Sequence, residues 1–552
     1  MSPLDAPPRP RVAPRQGPNP RSGGDRVGNR DPIPPRTQSY ARRPAPPHRR
    51  PPLRQARPGN PAGRARWLLL LVVLSLVAVS VRMVQLQVLE PETYVARGLA
   101  QRMRTIPVAA ERGSVFDRNG NELAMSVRQS TVFADPRLVE DPVATAAHLA
   151  PVLQMDQAAL EQKLRQDGAF VYLARKVDDE VATKVTELDL PGIALLDESE
   201  RFRPNGDLAN SILGTVDVDN NGVSGVELQF EDTMRGVAGE LLLEQGPDGR
   251  TIASGERHIT PAEPGDDLVL TIDRSLQFEV ERALAEQIVE TNAEGGTAVV
   301  MEPSTGEILA MANLRNTPEG PKPTLDNMAV TSVFEPGSVN KVITVAGALE
   351  EGLVNPDTVL TVPDRLPVSV HTFSDHDPHP PTDWTINDII TVSSNIGTIM
   401  VAQELGPERV DGYLRKFGLG ESSGLGFPNE SSGIMLPSDG WHGTDIGSVP
   451  IGHGISVTAL QMLGVYNTIA NGGVFVAPRL VRATVDAEGN EHRIDAPDGR
   501  RVVSERTAKQ VTSMLANVVA VGTGEKAQIG GYTVAGKTGT ARKPLIDARG
   551  YE

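Results

Sequence analysis

The chain has 552 residues, 39% hydrophobic and 22% charged, enough for roughly two to four folded units with cores. The absence of cysteine excludes disulfides, thiolate metal sites and a cysteine nucleophile, and an aromatic content of 4% argues against stacked-base recognition of single-stranded nucleic acid. The net charge of -16 is unevenly spread: residues 1–66 hold fifteen Arg against three Asp, so the remainder carries -28, which is no footprint of a nucleic-acid binder.

Residues 1–66 also contain seventeen Pro and few large apolar side chains, so they read as a disordered, Pro/Arg-rich cytoplasmic tail. A solvated tail weakly attracted to anionic lipid is the simple reading, and a docking arm for a partner the sharper one. Next comes the apolar run Trp67–Val81, whose fifteen residues make about 22 Å of helix. Apolar residues continue past Arg82 to Leu89, and a snorkelling Arg82 allows 67–89 to span the ~30 Å hydrocarbon core. The segment before it is too long for the n-region of a cleaved signal, and no clean A-x-A site follows, so the span is expected to be an uncleaved anchor. The Arg excess before it places the N-terminus in the cytoplasm and the body outside.

Residues 90–265 mix strand and helix signals, with a hairpin expected at Asn119-Gly120 and a Gly-rich stretch containing Gly222, Gly225 and Glu227. A new unit starts at 266. Leu268–Ile272 predicts a strand, and Asp273 caps a helix running to about Glu290. Thr297–Met301 and Glu307–Ala312 predict a hairpin around Pro303-Ser304-Thr305-Gly306, and Tyr532–Thr540 predicts a last strand. This is an α/β (α+β) pattern with an antiparallel sheet and flanking helices.

Three short motifs carry chemistry. In Glu335-Pro336-Gly337-Ser338-Val339-Asn340-Lys341, one helical turn separates Ser338 from Lys341 and puts both on one face. Val342, Val345, Ala346 and Leu349 continue the helix and Gly352 ends it. At the first turn, free backbone N–H groups favour a developing oxyanion, and a Lys of lowered pKa can take the serine proton. Ser393-Ser394-Asn395 and Lys537-Thr538-Gly539-Thr540 follow, and by themselves they read equally well as a helix cap and a strand entering a Gly turn. Their order, 55 and then 144 residues apart, is that of serine β-lactamases and penicillin-binding proteins.

On these motifs the chain resembles a class B penicillin-binding protein, of the septal, FtsI-like branch. The resemblance extends to Arg112-Gly113 with Asp117-Arg118 and Gly120, to Arg201–Glu227, and to Leu270–Asp273, Thr305–Met311 and Phe334–Ser338. It implies a pedestal (dimerisation-like) domain over 90–265 and a transpeptidase domain over 266–552, without cofactor or metal. It further implies D,D-transpeptidation of peptidoglycan stem peptides ending in D-Ala-D-Ala, inhibition by β-lactams, and division-complex membrane partners including a glycosyltransferase. By position, Ser338 is the implied nucleophile and Lys341 its base. Ser393 is the implied proton relay, and Asn395 holds Lys341 and the substrate amide. Lys537 supplies positive potential, Thr538, Gly539 and Thr540 bind the substrate carboxylate, and the N–H groups of Ser338 and Thr540 form the oxyanion hole. In the family, further strands and a helix follow this last motif, whereas only twelve residues follow Thr540 here, so the transpeptidase domain is expected to be C-terminally incomplete.

The resemblance leaves alternatives open: an elongation-type enzyme, a catalytically inactive scaffold or sensor, or a hydrolase that passes the acyl group to water. His371, Asp375, His376, Asp377 and His379 form a cluster without a recognised metal-ligand spacing, read as a solvated loop near the cleft.

Overall fold

The computed structural model describes residues 61–89, 102–244, 246 and 257–541. The expected disordered tail therefore lies outside the described residues except for its end. There the expectation is corrected: residues 61–66 are already helical, because Pro61 at the first helical position needs no N–H partner. Helix α1 runs Pro61–Val84, continues as a wider turn over Gln85–Leu89, and buries none of its residues in protein. A helical segment of 27 residues spans about 40 Å, long enough to cross a bilayer.

Residues 92–552 form a second unit. Its strands are β1 (Met103–Val108), β2 (Val115–Phe116), β3 (Glu122–Ala134), β4 (Val171–Val177), β5 (Ile193–Phe202), β6 (Gly239–Glu244), β7 (Arg257–Thr260) and β8 (Asp267–Leu270). They continue with β9 (Gly295–Met301), β10 (Ile308–Thr317), β11 (Gly320–Pro323), β12 (Val481–Val485) and β13 (Glu491–Arg493). The largest sheet has the order β13-β12-β8-β2-β3-β4, with β5 also paired to β3, and β2–β8 is its parallel pair. Strands from both sides of residue 265 thus share one sheet. The hairpin at Asn119-Gly120 forms as expected: Gly120 takes φ +80°, and the Asp117 carboxylate accepts from the Asn119 and Asn121 N–H groups.

Two cores hold the N-terminal part. The distal one packs Val132, Ala134 and Leu173 against Leu149, Leu160 and Val185. Those last three come from α2 (Pro142–Leu153), α3 (Gln157–Leu164) and α4 (Asp179–Glu187). The proximal one joins Val115, Leu123, Ile212 and Val226 to Leu268, Leu270, Ile308, Met311 and Leu480. Each fully buried aliphatic side chain contributes about 1.5–3 kcal/mol, so this shared core ties the two parts firmly together.

At the proximal end the two sequence signatures converge on Glu227, which is almost wholly buried. Its carboxylate accepts from Arg112 Nε and Arg201 Nε, each at 2.7 Å, and Arg112 also reaches Glu231 at 2.6 Å. Gly214 at φ +79° allows the close approach beneath it, since a Cβ there would lie 1.8 Å from the Ser224 carbonyl oxygen.

The C-terminal part opens with α5 (Arg274–Thr291), capped by Asp273, which accepts from the Ser275 and Leu276 N–H groups at 3.0 Å. The helix lies on the antiparallel sheet β11-β10-β9. Buried Gln277 fixes it there by bonding both the N–H and the C=O of Met311. The other helices of six residues or more among the described residues are α6 (Lys341–Glu350), α7 (Ile386–Thr391), α8 (Asn395–Leu405), α9 (Pro407–Lys416), α10 (Ala459–Ala470) and α11 (Glu505–Val521). They enclose the largest core, around Val345, Leu349, Ile396, Val401, Leu414, Val465 and Val518. Two ribbons, Val359–Val362 with Thr382–Thr385 and Arg365–Val368 with His371–Ser374, connect α6 to α7.

The strand expected at Tyr532–Thr540 does not form. Its Gly536 N–H bonds the Leu515 carbonyl of α11, and no ladder partner lies beside it among the described residues. A β conformation is stable only when a neighbouring strand takes its N–H and C=O groups, however apolar the sequence.

Candidate active site

Ser338 sits in a 3-10 turn, Gly337–Asn340, that feeds directly into α6. In a 3-10 turn, residues i and i+3 eclipse, which aligns Ser338 and Lys341 on one side of the turn. The turn is braced from three directions. Gly337 adopts φ +57° with the Thr540 carbonyl oxygen packed against it, so that a Cβ would meet that oxygen at 2.5 Å. Its N–H bonds the Gly452 carbonyl at 3.0 Å. Tyr466 donates its hydroxyl to the Val339 carbonyl at 3.0 Å. Buried Glu335 accepts from His453 Nδ1 and the Gly454 N–H, both at 2.9 Å, anchoring the loop that carries Gly452.

Lys341 is fully buried. Its Nζ donates to the Ser393 carbonyl at 2.6 Å and to Asn395 Oδ1 at 2.7 Å, with Ser393 Oγ at 3.3 Å. Burial, with a contribution from the Lys537 charge, lowers its pKa to about 7 against the opposing field of Asp375. Lys537 Nζ donates to the same Ser393 Oγ at 2.9 Å, and its own desolvation brings its pKa to about 8. Ser393 therefore lies between two ammonium groups. It adopts φ +63°, a left-handed conformation unusual for serine, which presents both its carbonyl and its hydroxyl toward Lys341. Thr538 Oγ1 bonds Thr523 Oγ1 at 2.8 Å, and Gly539 packs so closely on Val339 that a Cβ would meet its Cγ1 at 2.8 Å.

The structure thus gathers Ser393, Asn395 and Lys537 around Lys341, and sets Gly539 and Thr540 against the Ser338 turn. An apolar cleft of about 670 Å³ opens beside it, lined by Val299, Phe334, Val339, Met462, Tyr466 and Gly539.

Comparison with known proteins agrees with this constellation. The family model for the penicillin binding protein transpeptidase domain matches residues 296–551, and that for the penicillin-binding protein dimerisation domain matches 107–270. Penicillin-binding protein PbpB of Mycobacterium tuberculosis is 37% identical over 508 residues, which cover 86% of this chain and 74% of the relative. The chain belongs to the class B penicillin-binding proteins. Peptidoglycan D,D-transpeptidase FtsI of Escherichia coli is 33% identical, covering 87% of this chain and 81% of that protein. The crystal structure of penicillin-binding protein 3 from M. tuberculosis superposes with a TM-score of 0.62 at 33% identity, covering 81% of this chain and 85% of that one. The same mycobacterial protein has been captured with aztreonam and with ampicillin. The present class B protein is a serine-type D,D-transpeptidase.

Sequence reasoning missed several residues of this penicillin-binding site. Reading Asp375 and His379 as part of a solvated loop is corrected: their side chains are only 6% and 13% exposed, and Asp375 bonds Ser394 of the second motif. The remote chain separation hid that contact, although the four-residue Asp375–His379 spacing was visible. His376 and Asp377 do face solvent. Glu335 stood in the first motif without a role, and His453 and Thr523 had no sequence signal.

Proposed function

We propose that this class B enzyme cross-links peptidoglycan stem peptides ending in D-Ala-D-Ala through an acyl-Ser338 intermediate, and that β-lactams acylate Ser338 in place of the stem peptide. The observation that carries this reading is the convergence of buried Lys341 and half-buried Lys537 on Ser393, with Asn395 holding Lys341, beside the Ser338 turn. A lysine with pKa about 7 is a competent base near neutrality. Ser338 Oγ attacks the penultimate D-Ala carbonyl as its proton passes to neutral Lys341. The N–H groups of Ser338 and Thr540 receive the oxyanion, an interaction of the kind worth about 3–4 kcal/mol. Collapse breaks the C–N bond, and Lys341 returns the proton through Ser393 Oγ to the departing D-Ala amine. An acceptor amine from a second strand then displaces Ser338. Lys537, Thr538, Gly539 and Thr540 are assigned to the terminal carboxylate. The test is incubation of the full-length enzyme with lipid-linked pentapeptide strands. Release of D-Ala with dimeric cross-links supports the reading, and release with hydrolysis alone makes the protein a carboxypeptidase.

This assignment sets a pH dependence. Lys341 must be neutral to act as base, so acylation rises as pH increases through about 7. Lys537 must keep its charge to attract the carboxylate, so the rate falls above about 8. A narrow bell with two macroscopic pKa values belonging to the coupled pair is expected in stopped-flow acylation. A profile flat from about pH 6 to 9 would remove Lys341 from the role of base.

Similarity to the FtsI and PbpB relatives supports a septal role, and division-complex membrane proteins, including a glycosyltransferase, are the partners assigned to it. A fluorescently tagged protein is expected at the division site, and uniform lateral-wall signal would favour the elongation alternative. Residues 1–66 are assigned to the cytoplasm, 67–89 to the membrane, 90–265 to the pedestal and 266–552 to catalysis. Protease added outside spheroplasts is expected to digest the body and leave an anchored stub. Release of a soluble body without protease would instead indicate a cleaved signal.

A further inference from the structure

We propose that Asp375 is a positioning residue that locks the Ser393–Asn395 loop and sets the protonation balance of Lys341, with His379 setting how much of the Asp375 charge that lysine feels. The inference rests on Lys341 acting as the base. It goes beyond the three motifs because Asp375 and His379 come from the segment after the inner ribbon, outside all of them.

The contacts are specific. Asp375 Oδ2 accepts from Ser394 Oγ at 2.7 Å, and Oδ1 accepts from the Ile396 N–H at 2.9 Å. Ser394 Oγ in turn accepts from the Gly397 N–H at 2.9 Å. One carboxylate thereby satisfies, directly and through Ser394, two N–H groups in the first turn of α8, where negative charge is also favoured by the helix dipole. The preceding residue completes the clamp: the Ser374 carbonyl accepts from Asn395 Nδ2 at 3.0 Å, which leaves Asn395 Oδ1 pointing at Lys341. The loop that holds Lys341 is therefore itself held by Ser374 and Asp375.

His379 is the other half. Its Nε2 lies 3.1 Å from Asp375 Oδ2 and its Nδ1 lies 2.8 Å from the Pro380 carbonyl. Both partners only accept, so each ring nitrogen must carry a proton to bond them, and the side chain is an imidazolium when both bonds are made. Burial opposes this charge, but the bonds to Pro380 and Asp375 and the field of Asp364 outweigh it and raise its pKa. The ring packs on Trp384, with centroids 4.5 Å apart. The charged groups acting on Lys341 are Lys537, which disfavours its proton, and Asp375, which favours it. Neutralising Asp375 must therefore lower the proton affinity of Lys341, and removing the His379 charge must raise it.

The experiment compares acylation by a fluorescent penicillin as a function of pH for the full-length wild type, Asp375→Asn, His379→Gln and the double variant. Asn at 375 keeps an acceptor for Ile396 but carries no charge. Its acid limb is expected to move to lower pH, by on the order of one unit. That of His379→Gln is expected to move to higher pH. The double variant should follow Asp375→Asn, because without the carboxylate there is no charge for His379 to offset. A purely structural role would lower the rate equally at every pH and displace neither limb, and that result overturns the inference. Shifts of both single variants in the same direction overturn it as well. Ser338→Ala is the control: loss of the adduct there, with unshifted limbs in the others, leaves the catalytic reading intact and removes only this inference.

Discussion

Ser338→Ala abolishes the covalent penicillin adduct, and Lys341→Ala slows its formation by at least the ~100-fold typical of a lost general base. A serine hydroxyl is a poor nucleophile unless a neighbouring group takes its proton as it attacks. Ser338 is followed one tight turn later by a fully buried lysine with pKa about 7. Ser393 offers a hydroxyl to the same ammonium, but its Oγ is already held by Lys537 at 2.9 Å and its backbone is fixed in a left-handed conformation. Ser394 is committed to Asp375 and to the cap of α8. Ser393→Ala is therefore expected to be milder than Lys341→Ala, since water can replace a relay in part. Intact mass and peptide mapping read the outcome. An adduct that survives Ser338→Ala, or that maps to Ser393 or Ser394, would falsify the assignment.

Glu227→Ala destabilises the protein by about 3–5 kcal/mol, the loss expected when one partner of a buried ion pair is removed. Two guanidinium groups depend on this one carboxylate, and Arg112, Arg201 and Glu227 are each nearly inaccessible to water. Without it, both cations remain in a low-dielectric site, with Glu231 compensating only Arg112. For a protein of this size the penalty corresponds to a fall in Tm of about 3–5 °C. The catalytic core lies beyond this cluster, so the molecules that remain folded at low temperature are expected to keep wild-type acylation. Calorimetry with parallel active-site titration separates the two effects. A change below ~1 kcal/mol would mean that water enters and solvates the two arginines.

The features legible in the sequence are those whose causes lie within a few residues. Asp273 capping α5, the turn at Asn119-Gly120, the hairpin between β9 and β10 and the apolar run inside α1 each follow from a cap, a turn residue or a hydrophobic pattern. The tight turn that joins Ser338 to Lys341 is of this kind too. The expected strand at Tyr532–Thr540 failed for the complementary reason: a strand is defined by its partner, and sequence pattern alone supplies none.

By itself, then, the sequence set Ser338 and Lys341 one tight turn apart, determined a helix long and apolar enough to cross a membrane and, through motif order, pointed to the family. Tertiary structure alone decided that Ser393 and Asn395, more than fifty residues away, would surround Lys341, and that Lys537 would share Ser393 with it. It also decided that Arg112, Arg201 and Glu227 would meet, and that Asp375 would leave an apparently solvated cluster to hold Ser394. The physical reason is burial. Proton affinities, and the strength of ion pairs and hydrogen bonds, depend on the exclusion of water by elements distant in the chain, and residue spacing carries no record of that exclusion.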